Sequence, residues 1–230
     1  MSRAELVDQD LARAAAELLR HDARLPDLDL CVRSRGRVLH LTGHVDSADQ
    51  LASVRELLGR LAGVLAVWDW VRVGGRPPVV LDLGCGATTQ SPENIGVDQR
   101  RTDAVSVLAD LRGGLPFADA SVDRIFTVHL LEHLMDFLPL VDECHRVLRP
   151  DGILHILSPW WQHVNAVADP THLRLFDVQT VKGICQRAGA DPRWYPLHAA
   201  RDEATVFADL TPLAPTAPAP GATRMARFFD

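Results

Sequence analysis

Apolar residues Val7, Leu11, Ala14, Ala15, Leu18 and Leu19 recur at helical spacing, after which Leu28, Leu30 and Val32 alternate with Asp29, Cys31 and Arg33. The pattern predicts a helix and then a strand. Ser34-Arg35-Gly36-Arg37 reads as a turn into a second strand over 38–42. Ser47, with Gln50 three residues on, forms a capping box for a helix carrying Leu51, Val54, Leu58 and Leu61. A third strand over 64–73 completes an α-β-β-α-β order, a small sheet with two helices on one face and room for a modest core. Trp68 and Trp70 fall on one side of that last strand, where they serve either sheet packing or a partner surface.

Gly74-Gly75-Arg76-Pro77-Pro78 sets flexible glycines against rigid prolines, and the pattern changes there. Short apolar runs at 79–83, 95–98, 124–128 and 153–157 suit strands buried on both faces, hence a parallel sheet. A helix over 134–148, with Leu138, Val141, His145 and Leu148 on one face, should stop at Pro150-Asp151-Gly152. A second, capped by Asp177, should run to residue 188 and stop at Gly189. The expected fold class is α/β: a doubly wound Rossmann-like sheet with a small N-terminal α-β-β-α-β domain. The expected divisions are 1–75, 76–210 and a Pro/Ala-rich tail, 211–230. The stretch 212–220, PLAPTAPAP, is expected to be extended and outside any ladder, while Arg227-Phe228-Phe229-Asp230 is available to dock back on the body.

Composition narrows the function classes. Hydrophobic residues make up 47% and charged residues 23%, a balance that can bury a core and excludes wholesale disorder. A net charge of −6 without a basic block argues against nucleic acid as a partner. No apolar run reaches the roughly 18 residues of a spanning helix. Arg3, Glu5, Asp8, Asp10, Arg13 and Glu17 stand where a signal peptide needs an apolar stretch, so a cytoplasmic protein is expected. Cys31, Cys85, Cys144 and Cys185 are far apart, with no CxxC pair, and read as reduced thiols.

Asp82-Leu83-Gly84-Cys85-Gly86 ends the first strand of the second unit, and its glycines let a ligand approach the backbone. The charge of Asp82 would repel a phosphate but tolerates a ligand ending in an ammonium group, and Thr89 stands where a dinucleotide fingerprint wants its third glycine. Asp98 closes the second strand, where a carboxylate can accept both hydroxyls of a ribose. Asp110, beside Leu111, can accept from an adenine amino group. Three acidic stations without a phosphate-binding lysine fit a nucleoside with a zwitterionic tail, as in S-adenosylmethionine.

The segments "VVLDLGCG", "IGVDQ", "ADLRGGLPFADASVDRIFTVHLLEHL", "ECHRVLRPDGILHILSP" and "DPTHLRLF", in this order over about residues 77 to 200, resemble class I S-adenosylmethionine-dependent methyltransferases of type 11. The resemblance implies that Gly84, Cys85 and Gly86 pass under the methionine moiety. It further implies that Asp98 holds the ribose, that Asp110 and the Leu111 amide face the adenine, and that His129 lies near the sulfonium. One departure stands out. Family members carry a full helix between the glycine loop and the second strand, whereas residues 87–94, with Pro92 inside, leave room only for a loop or a vestige. Fourteen positions separate Gly84 from Asp98, against roughly 20 in dinucleotide folds. Residues 5 to 73, through "LHLTGHVDS" and "LAGVLAVWDWVRV", resemble the BON domain, which implies an accessory module contacting a protein or lipid partner.

The sulfonium methyl is already activated, so the protein must chiefly align the acceptor and remove its proton. His133 and His172 are the candidate catalytic residues, and Arg174 could hold an acidic acceptor. Trp160, Trp161 and His163 would shape the acceptor pocket. Structural alternatives stand beside these: Asp169 and Thr171 as turn formers, His172 as a loop anchor, Glu132 as a cap partner. His129-Leu130-Leu131-Glu132-His133 also matches the HxxEH pattern of a zinc-peptidase class. That site needs both histidines on one helical turn, and here they straddle a strand end, so no metal is assigned. The expected function is methyl transfer from S-adenosylmethionine to an unidentified small-molecule or macromolecular acceptor, a small molecule being the expected partner. A methyltransferase-like binding protein that has lost catalysis is the alternative.

Overall fold

The computed structural model describes residues 2–22, 25, 28–187, 189, 193–214 and 216–229. The chain divides into two units, Met1–Pro78 and Val79–Asp230. Among the described residues no helix is long and apolar enough to cross a membrane.

In the first unit α1 (Arg3–His21) starts at a reciprocal capping box between Ser2 and Glu5 and buries Leu11, Ala15 and Leu19. β1 (Asp29–Arg35) pairs antiparallel with β2 (Val38–Val45), so Ser34 and Arg35 belong to the strand and the turn is shorter than expected. Only Gly36 and Arg37 turn the chain, with φ of 59° and 65°, the left-handed pair that matches strand twist in two-residue hairpins. Asp8 clasps this turn by accepting from the Ser34 hydroxyl and from the N–H groups of Gly36 and Arg37.

α2 (Ala48–Leu58) is capped by Ser47, whose hydroxyl accepts the Gln50 N–H; the Gln50 side chain accepts from Asp46, one residue earlier than a strict capping box. β3 (Ala66–Val73) runs parallel to β2, giving the order β1-β2-β3. Both helices share one core with Leu39, Leu41, Val67 and Val71. On the other side of the sheet the His40 ring stacks on Trp70 and meets Trp68 edge-on.

The second unit holds β4 (Val80–Leu83), β5 (Ile95–Asp98), β6 (Val107–Leu108), β7 (Val122–Val128), β8 (Leu148–Pro159), β9 (Arg193–Arg201) and β10 (Thr205–Leu213). Their order is β6-β5-β4-β7-β8-β10-β9, parallel as far as β8, with β10 antiparallel to both its neighbours. The central strands are buried on both faces and apolar chiefly on one: Leu81, Leu83, Ile125 and Leu154 share a face and a cluster, whereas Asp82, Arg124 and His155 fall on the other. No helix joins β4 to β5 or β5 to β6, so the double winding is incomplete at that end of the sheet.

Helical cover comes from α3 (Leu138–Val147), α5 (Val178–Cys185) and α6 (Ala222–Phe229), with a short α4 (Val164–Ala168) preceding α5 in the β8–β9 connection. The helix expected over 134–148 is therefore shorter. Pro139 lacks an N–H and is tolerated only in a first turn, so α3 begins at Leu138. Its buried face is Leu140, Val141, Cys144 and Val147, and Leu148 already opens β8. Pro150-Asp151-Gly152 lies within β8, where the register against β7 shifts. Asp177 caps α5 as expected, in a reciprocal box with Thr180; residue 188, the predicted helix end, falls outside the described residues.

The tail also differs. Pro212 and Leu213 pair with Trp194 and Arg193 in β9, which a proline permits here because pairing of β10 with β8 has ended at Leu210. Residues 222–229 form α6, whose Met225 and Phe229 enter the main core.

Candidate functional site

In an open parallel sheet, ligands bind beyond the carboxyl ends of the strands where the strand order reverses. Here the chain builds β4, β5 and β6 outward, then returns to lay β7 on the other side of β4. The glycine loop after β4, Asp98 at the end of β5 and His129 after β7 all face that crevice by their place in the sheet.

Gly84 has a φ of 65°, and its N–H donates to the Val97 carbonyl at 2.8 Å. A Cβ there would stand 2.6 Å from Leu130 Cδ1, so the loop lies directly against the residue that follows His129. Gly86 has a φ of 56° and nothing within 4 Å of where its Cβ would be, which leaves open space above the backbone. Asp98 is buried; its Oδ2 accepts the Gly86 N–H at 2.9 Å and its Oδ1 accepts the Arg100 N–H at 2.8 Å. Each oxygen keeps a further lone pair for a hydroxyl.

The other two acidic stations have their own partners. Asp82 is 2% exposed, and its Oδ2 accepts the Gln90 N–H at 2.6 Å and the Asn94 side-chain amide at 2.9 Å. Burial pushes its carboxyl above the usual value. Through Oδ2 it anchors the short connection that stands where a helix was expected. Asp110 is exposed and caps the short 3-10 turn Leu111–Gly113; the Arg112 side chain grips its carboxylate at 3.0 Å and holds its pKa below the usual range. Leu111 is buried. The Cys85 thiol is turned to the Ala104 carbonyl, and burial raises its pKa, so this residue offers the crevice its backbone.

A second cluster sits after β7. His129 adopts a φ of 52°, its N–H donates to the Leu157 carbonyl, and its Nδ1 lies 3.2 Å from Glu132 Oε1. Glu132 is 1% exposed; its Oε2 accepts the Ser158 hydroxyl at 2.8 Å and its carbonyl accepts the N–H groups of Leu173 and Arg174. Glu132 therefore ties the ends of β7 and β8 to the segment over 160–176. His133 Nδ1 lies 3.2 Å from the Thr171 carbonyl and 3.0 Å from its hydroxyl, and the His133 and His172 rings meet edge-on with centroids 4.7 Å apart.

His129, His133, His172, Pro159 and Asn165 line a cleft of about 580 Å³. The two candidate catalytic histidines are thus neighbours, although 39 positions apart in sequence. His129 and His133 do not share a helical turn, since one follows the end of β7 and the other closes the 3-10 turn Leu131–His133.

The remaining candidates divide. The Trp160 indole N–H donates to Asp177, and Arg201 lies over its ring, both holding the segment in place. His163 caps α4. Arg174 Nε donates to the Met135 carbonyl. Trp161, Val164, Val167, Leu173, Leu175 and Met135 are exposed, giving this region an apolar surface. Sequence reasoning missed Asn94 and Ser158; neither stands in a local pattern, and each acts through a partner distant in sequence. It also missed the buried pair of His155 Nδ1 and Asp209 Oδ1, 2.7 Å apart and opposite each other in the β8–β10 register.

Residues 81–156 match the family model of a methyltransferase domain. The chain is 36% identical to a probable S-adenosylmethionine-dependent methyltransferase of Mycolicibacterium smegmatis, over 38% of this chain and 40% of that protein. It is 32% identical to an uncharacterized 37.1 kDa protein from a transposon of Streptomyces fradiae, over 66% of this chain and 48% of that one. It is 33% identical to a malonyl-[acyl-carrier protein] O-methyltransferase of Coxiella burnetii, over 37% of this chain and 34% of that protein. The chain thus spans between about a third and a half of the length of these relatives. The part of the chain that builds the crevice, residues 81–156, belongs to the methyltransferase domain family, whose named relatives include enzymes dependent on S-adenosylmethionine.

Proposed function

We propose that this chain transfers a methyl group from S-adenosylmethionine to an acceptor bound at the histidine-lined cleft. The observation that carries the reading is Asp98: a buried carboxylate at a strand end, oriented by the Gly86 and Arg100 amides, beside a glycine with open space above it. Asp98 would hold the ribose hydroxyls, and the backbone of Gly84, Cys85 and Gly86 would lie under the methionine portion. Leu111 and the backbone at Asp110 would border the adenine, with the Asp110 carboxylate shared between the ring and Arg112. Asp82 supports this set indirectly, by ordering the 87–94 connection. When bound, S-adenosylmethionine supplies a methyl group already activated on a positively charged sulfur.

The chain's own task is then to orient the acceptor and accept its proton. His129, His133 and His172 offer imidazoles on the wall of one cleft. His129 Nδ1 faces Glu132 Oε1 at 3.2 Å, and a proton held there would leave Nε2 to take the acceptor's. The apolar residues of the 160–176 segment favour an acceptor with an apolar portion. The first unit, with its BON-like order of elements, is read as an accessory module for a protein or lipid partner; Trp68 is buried and serves packing. Calorimetric titration with S-adenosylhomocysteine tests the reading. Micromolar binding to the intact chain that Asp98→Ala weakens supports it, and absence of binding to folded protein defeats it.

A further inference from the structure

We propose that Glu132, His133 and His172 bind a divalent transition-metal ion. One ligand-type atom from each of the three lies within 4.8 Å of the other two. The set differs from the one suggested by the HxxEH pattern, which would pair His133 with His129.

The hydrogen bonds around the two rings decide what they can offer. Thr171 gives its single hydroxyl proton to Asp169 at 2.6 Å, so its hydroxyl oxygen, like its carbonyl, can only accept from His133. His133 Nδ1 is therefore the protonated nitrogen. The Ala166 carbonyl, also only an acceptor, does the same for His172 Nδ1 at 3.2 Å. With a single proton, on Nδ1, each ring offers a lone pair on Nε2; that of His172 lies 3.8 Å from Asp169 Oδ2, beyond hydrogen-bond reach. An imidazole whose other N–H is held by a backbone carbonyl is the orientation that outer-shell contacts impose on metal-bound histidine.

Glu132 completes the arrangement. It is buried, its Oε2 is fixed by the Ser158 hydroxyl and its Oε1 by His129, and each oxygen retains a lone pair. A buried carboxylate costs less when it faces a cation. Two imidazoles and a carboxylate suit zinc, iron(II), cobalt(II) or manganese(II), whereas calcium and magnesium prefer all-oxygen sets. Three protein ligands leave a position open, and His133 and His172 face the 580 Å³ cleft, where an acceptor oxygen could fill it.

The purpose of the site rests on the methyltransferase reading, while its existence does not. An acceptor hydroxyl bound to the ion loses its proton more readily. With both Nε2 atoms of the pair engaged, His129 remains to take that proton, the O–H bond breaking and an N–H bond forming at its Nε2.

The test uses the full chain, stripped with a chelator and titrated with zinc against a competing indicator. We expect one ion per chain. His133→Ala and His172→Ala should each weaken binding by at least about 100-fold, more than the 10- to 100-fold typical of losing an outer-shell partner. His129→Ala, which removes an outer-shell contact to Glu132 and no ligand, should cost less than either, about 10-fold. Cobalt(II) in the wild type should give visible absorption bands that His172→Ala abolishes. Circular dichroism checks folding of each variant, and an S-adenosylhomocysteine titration reads the nucleoside crevice separately, so failure of one site is distinguishable from failure of the other. Substoichiometric zinc, or stoichiometric zinc indifferent to both His133→Ala and His172→Ala, overturns the proposal.

Discussion

The Oδ2 of Asp98 lies 2.9 Å from the backbone nitrogen of Gly86, so the end of β5 and the glycine loop after β4 are held as one piece. Asp98→Ala removes both the ligand's acceptor and the brace that shapes the loop. Binding of S-adenosylhomocysteine should weaken by ~1–3 kcal/mol, the cost of leaving buried donors unpaired, or roughly 5- to 150-fold by calorimetry. Unchanged affinity would remove Asp98 from the ribose site.

Asp82 does for the 87–94 connection what a helix does in other sheets of this kind. Asp82→Ala strands the Gln90 N–H and the buried Asn94 amide together. Urea unfolding should show a loss of about 1–3 kcal/mol. Asn94→Ala, which removes one donor and leaves the Gln90 bond, should cost less; equal losses would mean that the amide alone carries the anchoring.

Gly84→Ala meets two obstacles, a left-handed φ of 65° and a Cβ placed 2.6 Å from Leu130 Cδ1. The second is the tip of a flexible side chain and can be relieved. The first cannot, and costs ~1–2 kcal/mol for an L-residue. In a double-mutant cycle with Leu130→Ala the two changes should therefore couple favourably without cancelling, leaving about 1 kcal/mol from the backbone. Strict additivity would show that the loop moves away from Leu130 instead.

These contacts show which parts of the molecule could be read in advance. Strand ends carrying Gly84, Gly86 and Asp98, and the caps at Ser47 and Asp177, follow from periodicity and local turn chemistry. The short α3 was legible too, since Pro139 forbids a longer helix, but the apolar spacing from Leu134 onward outweighed it. What could not be read is pairing across the sheet. Glu132 meets Ser158 only because β7 and β8 run side by side, and His133 meets Thr171 only because the 160–176 segment folds over those strand ends. Nor could the bond between Asp82 and Asn94 be read, because it lies across a connection whose path no periodic pattern records.

Acid should loosen the second unit partly through Glu143. Its carboxylate accepts from Arg146 at 2.9 and 2.8 Å and from the Leu115 N–H, while Arg146 also donates to the carbonyls of Leu115 and Phe117, tying the 115–117 segment to α3. The Arg146 guanidinium holds the Glu143 carboxyl below its ordinary value of 4.5. In the window beneath that value the unfolded chain binds more protons than the folded one, so stability falls as pH falls and is fully present above it. Burial of Asp82 acts in the opposite sense, because its raised carboxyl takes up a proton in the folded state first. The difference between wild type and Glu143→Gln therefore isolates the pair, whereas the raw slope mixes both. Denaturant midpoints should put the variant about 0.5–1 kcal/mol lower at pH 7, a modest figure because the pair is partly exposed. That gap should shrink as the pH is taken from about 5 toward 3, where the wild-type carboxylate is itself neutralised. A gap that stays constant through this range would show that Glu143 contributes by shape and hydrogen bonding, with its charge irrelevant.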